Sequence, residues 1–245
     1  MKVLIKVLII ISVSVFSVMP STVNAQNQEH SDYYYQGYTF KETNGVKSAS
    51  PYLTVVMIEG EDEQPKAVSM SSAIGDISLE GTPIDIYKQN KLEVYAGNEL
   101  IGVYLPKQWT EKPPFPNGNM NIHMEIPANI DFYTVKELDL PTERNISLRE
   151  FLKTMPDIEM DEDNFFGKES NAGLRIFINN SNLTESKLKS LLDNLTVNYI
   201  KNCQLVLYNE PNKYFSGAIN ITLVAGNPGS FPSDTQYINS LPLSR

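Results

Sequence analysis

The sequence predicts two unlike folding units in tandem, an all-β sandwich followed by a small α+β domain. Three observations predict it. From Gly37 to Leu105 the chain runs in short β-branched and aromatic stretches separated by turn residues, with no helical period. Between Lys107 and Asn121 stand Pro113, Pro114, Pro116 and the turn Asn117-Gly118, a stiff segment that reads as a linker. After Pro141 apolar residues recur at helical spacing and then give way to strand-like runs. With 245 residues, 41% of them hydrophobic and 20% charged, the chain can bury a core in one or two domains.

Residues 1–25 read as a secretory signal peptide. Lys2 and Lys6 form the basic start, Val7 to Phe16 the apolar centre, and Val23-Asn24-Ala25 a small-residue cleavage site. The apolar stretch is shorter than the ~20 residues that span a bilayer and is broken by Ser12, Ser14 and Ser17. The mature product is therefore expected to be exported, with no membrane span.

Residues 26–36 read as a lead-in and 37–126 as the sandwich. Tyr38 and Phe40 fit a first strand with alternate rings buried, whereas Tyr33, Tyr34 and Tyr35 fit either a strand or a recognition surface. Asn44-Gly45 is a tight-turn pair. Tyr52 to Ile58 is a strand, Glu59 to Lys66 a charged loop, and Ile74 to Leu79 turns into another strand. Leu92 to Tyr95 and Ile101 to Leu105 alternate again. Met120 to Ile126 is a strand that either closes the first unit or opens the second, so the boundary falls between residues 107 and 142.

The second unit is expected over 127–225. Asn145 or Ser147 caps a helix running to Met155, where Pro156 stops it. Ile158 to Asp161 fits a short strand, and Leu174 to Ile178 is a clear one ending in Asn179-Asn180. Thr184 caps a second helix, with Leu188, Leu191, Leu192 and Leu195 on one face. Strands follow over Tyr199–Tyr208 and Gly217–Val224, and residues 226–245 read as a tail.

Chemistry is sparse. A formal charge of −9, falling to −11 once Lys2 and Lys6 are removed, argues against a nucleic-acid partner. The single Cys203 permits neither an intrachain disulfide nor a cysteine zinc site, and it sits in an apolar run as a buried thiol. Asp157, Glu159, Asp161, Glu162 and Asp163 lack the glycine and closing glutamate of a calcium loop and read as a solvated edge. His123 alternates with Ile122 and Met124, placing it on the polar face of a strand, while His30 lies in the lead-in. No nucleophile elbow or oriented acid–base pair is visible. No catalytic, cofactor-binding or metal residue is assigned, no cofactor is expected, and the sequence alone does not designate substrate-binding residues.

Ser147-Leu-Arg-Glu-Phe-Leu-Lys-Thr-Met-Pro-Asp-Ile-Glu-Met-Asp-Glu-Asp163 resembles the start of the plug domain of TonB-dependent outer-membrane receptors, with a short helix, a Leu-Pro-Gly-type turn and an acidic stretch. Asp157 stands where that family has glycine. Leu174 to Asn179 and Leu188 to Leu207 are similar to its next strand and to its helix–turn–strand. Asn209-Glu-Pro-Asn-Lys-Tyr-Phe-Ser-Gly-Ala-Ile-Asn-Ile-Thr-Leu223 is similar to its Lys-Tyr…Gly…Ile-Asn-Ile segment. Ile74-Gly-Asp-Ile-Ser-Leu-Glu-Gly-Thr-Pro83 more weakly resembles the carboxypeptidase-regulatory-like sandwich that often precedes such plugs, a name that implies no peptidase activity.

The resemblance implies a non-enzymatic periplasmic or outer-membrane-associated protein that partners an outer-membrane receptor or the TonB system. It places the TonB-contacting segment near Asp131 to Asp139. Residues 226–245 fall far short of the roughly 220 that a 22-stranded barrel needs, so the chain is not expected to form a channel. The alternative expectation is a periplasmic glycan- or protein-binding adhesion module.

Overall fold

Asn44 and Gly45 both adopt positive φ, 54° and 78°, the mirror-image turn that suits the twist of a hairpin. They join β1 (Tyr33–Thr43) to β2 (Val46–Ala49). This detail comes from a computed structural model that describes residues 33–60, 64–79, 82–111, 118–127, 130–168, 170–183 and 185–224. The expected signal peptide, His30, Pro113, Pro114, Pro116, Asn117, Thr184 and the tail lie outside the described residues.

Then come β3 (Thr54–Glu59), β4 (Ala67–Met70), β5 (Asp76–Ser78), β6 (Asn90–Ala96), β7 (Glu99–Tyr104) and β8 (Gly118–Glu125). One sheet runs β2-β1-β5 with β8 on the other side of β1; the second runs β4-β3-β6-β7. Between them pack Tyr33, Tyr35, Ile77, Ile122 and Met124 from the first and Leu53, Val55, Met57, Leu92 and Val94 from the second. This is the expected all-β sandwich. Because β8 pairs with β1 in parallel over Tyr33–Phe40, Met120 to Ile126 belongs with the first unit.

Two expectations change. The first strand starts at Tyr33, inside the segment read as a lead-in, and Tyr33 and Tyr35 are each 2% exposed. Strand parity then sends Thr39 inward, where its hydroxyl donates to Ser50 O (2.6 Å) and Gly75 O (3.1 Å). Tyr38 therefore faces outward and is 52% exposed, not buried.

The α+β half comprises β9 (Tyr133–Glu137), α1 (Leu148–Lys153), β10 (Ile158–Asp161), β11 (Asn164–Gly167), β12 (Gly173–Ile178), β13 (Ser181–Asn182), α2 (Glu185–Asn194), β14 (Ile200–Tyr208) and β15 (Phe215–Leu223). Ser147 is the cap of α1: its hydroxyl accepts from Glu150 N while the Glu150 carboxylate accepts from Ser147 N, a reciprocal capping box. The sheet order is β10-β11-β12-β15-β14-β9 with β13 beside β12; β12 and β15 are parallel. That sheet is larger than the small one expected, because β9 and β11 had no legible pattern.

Both helices cover one face of the sheet, where Leu148, Phe151, Leu152, Leu191 and Leu192 meet Ile176, Ile178, Ile219 and Ile221. The opposite face turns Phe177, Val206, Tyr208 and Ala218 onto Tyr52 and Met70 of the sandwich. The molecule is thus layered as helices, mixed sheet and sandwich.

Candidate functional site

On β1 the outward residues Gln36 and Tyr38 have a neighbour on each side. Gln36 is flanked by Ser78 of β5 and Asn121 of β8, and Tyr38 by Asp76 and His123. Since facing residues of paired strands share a side of the sheet, these six form two rows of three on its outer surface. Gln36 Nε2 donates to Asn121 Oδ1 at 3.0 Å, and the Tyr38 and His123 rings lie 5.7 Å apart.

Gly37, between the rows, makes the array possible. A Cβ there would lie 1.6 Å from Ile122 O, so only glycine lets β8 close against β1 at this level.

A wall from the other half stands over this floor. Asn179 and Asn180 turn β12 into β13 with φ of 49° and 64°. Asn179 anchors the turn to β15, its Oδ1 accepting from Leu223 N at 2.9 Å. Asn182 anchors the other side: Oδ1 accepts from Arg175 Nε (3.0 Å) and Nδ2 donates to Met70 O (3.3 Å). Asn180, Ser181 and Asn182 then face Gln36, Tyr38, Asp76 and Asn121 across an open groove of about 270 Å³.

Asp76 is the groove's charged group. Its Oδ1 is enclosed without a hydrogen-bond partner, and burial raises its carboxyl above the ordinary value of 3.8. Neither Lys nor Arg lines the groove.

The seam beside it is closed. Tyr208 Oη donates to Tyr52 O at 2.6 Å and lies 3.2 Å from Thr54 Oγ1. Asn212 Nδ2 reaches Thr54 Oγ1 and Gly97 O, each at 2.9 Å. These bonds fix the spacing of the two walls.

A larger cleft, about 450 Å³, opens where β11 and β12 diverge beneath α2; the two strands pair only at Phe166 and Gly173. Two of its charged groups, Asp163 and Lys189, already pair (2.9 Å), and Asp163 also pairs with Arg149 (2.7 Å). The groove, bordered by the Asp76 carboxylate and by amides from both walls, is the better candidate.

His123 is exposed on the polar face of β8, where the alternation put it. The acidic run forms the β10–β11 hairpin, with Glu162 at φ 52° in its turn and Asp157 paired with Lys136. Cys203 is fully buried, and burial pushes its thiol up to about 12. Sequence reasoning missed Gln36, Tyr38, Asp76, Asn121, Asn180 and Asn182 as one site. The Asn-Asn pair and the polar alternation around His123 were signals, but no pattern joins segments so far apart.

Among the described residues no group of three or more His, Cys, Asp and Glu could hold a metal ion. Among them, too, no helix is long and apolar enough to cross a membrane.

No family model matches the chain, and no curated protein matches it. Among solved structures it is similar to the shaft pilin SpaA of Lactobacillus rhamnosus GG, with a TM-score of 0.28 and 8% identity over 81% of this chain and 99% of that one. A double mutant of that pilin gives a TM-score of 0.27 and 10% identity with the same coverage. Superposition this poor supports no inference for this chain.

Proposed function

We propose that this chain is an exported, non-enzymatic binding module of the periplasm or outer membrane, with its ligand held in the groove between sandwich and α+β half. One observation carries the reading: amides, a carboxylate and an exposed aromatic ring from three sandwich strands and the β12–β13 hairpin converge on an open groove. The array lacks a nucleophile paired with a base, which favours binding over chemistry.

The test is a titration of the mature chain from Gln26 with panels of oligosaccharides and peptides, beside the double variant Tyr38→Ala/Asn121→Ala. Saturable binding that the double variant loses supports the reading. Binding that the variant leaves unchanged contradicts it.

A second reading, an accessory role in TonB-linked outer-membrane transport, is favoured by β9. That strand ends its sheet, pairs only with β14 among the described residues, and lies where the resemblance places the TonB contact. Val135 on β9 is 49% exposed. A photocrosslinking residue placed there in cells should capture TonB or an outer-membrane receptor on this reading. Capture of neither would count against it.

A further inference from the structure

We infer that the groove takes an uncharged oligosaccharide chain, an inference that rests on the binding-module reading above. Asn and Gln amides each donate and accept, as sugar hydroxyls do, and the groove presents Gln36, Asn121 and Asn180 from its two walls, while Asn182 is held by Arg175 and Met70. Asp76 adds a carboxylate to the lining, its Oδ1 enclosed and without a hydrogen-bond partner. The Tyr38 ring, 52% exposed beside His123, supplies a rigid face for the C–H side of a sugar ring.

Other ligand classes fit worse. An acidic glycan or a phosphate would meet Asp76 with neither Lys nor Arg lining the groove. An apolar ligand would find a floor whose exposed side chains are mostly amide, hydroxyl and carboxylate. An extended peptide binds best by adding to a sheet edge; β1, the middle of the floor, is paired on both sides at Gln36–Tyr38, so a peptide would have to add at β8, beside the two rows and not across them. The groove is also open and, at about 270 Å³, smaller than the ~300 Å³ lower range for pockets that enclose a whole small ligand. It suits a segment of a longer chain lying across the two rows.

Isothermal titration of the mature chain decides the matter, with neutral hexasaccharides of glucose, xylose, mannose and N-acetylglucosamine, oligogalacturonate, and a peptide pool as probes. Saturable binding of at least one neutral hexasaccharide is expected, weakened about tenfold or more by Tyr38→Ala and about tenfold by Asn121→Ala. Unfolding midpoints of both variants, measured in parallel, should stay at the parent value. If only peptides bind and the same variants abolish it, the carbohydrate inference fails while the groove remains the binding site. Oligogalacturonate binding tighter than every neutral chain also overturns it. If neither class responds to the variants, both the inference and the reading beneath it fail.

Discussion

The two halves meet in two ways within a short distance. At the seam, Tyr52, Met70, Phe177, Val206, Tyr208 and Ala218 exclude water, and the phenol of Tyr208 is satisfied by Tyr52 O and Thr54. At the groove Asn182 still reaches Met70 O, but Gln36, Asp76 and Asn121 line an open space facing Asn180. Burial without unsatisfied polar groups is what stability requires. Polar groups that border solvent contribute little to it. The difference teaches that one contact holds the halves together while the other leaves an open polar surface, the site proposed for a ligand.

Breaking the seam should have the largest effect. Phe177→Ala removes a fully buried ring and should cost about 3–5 kcal/mol in urea unfolding. Tyr208→Phe keeps the ring but strips Tyr52 O of its donor, so a loss of about 1–3 kcal/mol is expected by the same measurement. On the groove side, Tyr38→Ala and Asn121→Ala should change stability by no more than about 0.5 kcal/mol while weakening binding about tenfold. A large loss of stability from either would erase the contrast.

The smallest effect concerns pH. Because burial raises the Asp76 carboxyl above 3.8, the native state holds that proton more tightly than the unfolded chain. Its contribution therefore becomes more unfavourable as pH rises from about the unfolded value through the raised native one. Asp76→Asn should match the parent below both values and be the more stable protein above them. Unfolding midpoints across that interval check the sign; a variant less stable at neutral pH would reverse it.

Much of the fold was legible because alternation and turn chemistry are local. Asn44-Gly45, Ser147 with Glu150, Leu174 to Ile178 and the leucines of α2 each declare their structure within a few residues. β4, β9 and β11 were not legible, since Ala67–Met70 and Tyr133–Glu137 mix small or charged residues into strands that pairing alone stabilises. Tyr38 was misplaced by parity: counting from Tyr33 instead of Gly37 puts it outside. The groove was invisible for a different reason. Its residues come from β1, β5, β8, the β12–β13 turn and β13, and the parallel pairing of β1 with β8 joins segments about eighty residues apart.

The most direct test is an NMR titration of the isotope-labelled mature chain with the neutral hexasaccharides, following every backbone amide. The account predicts saturable shifts confined to residues 36–38, 76–78, 121–123 and 180–182, with Phe177 and Tyr208 unmoved. Saturable shifts centred on the cleft between β11 and β12, or none anywhere, would contradict it.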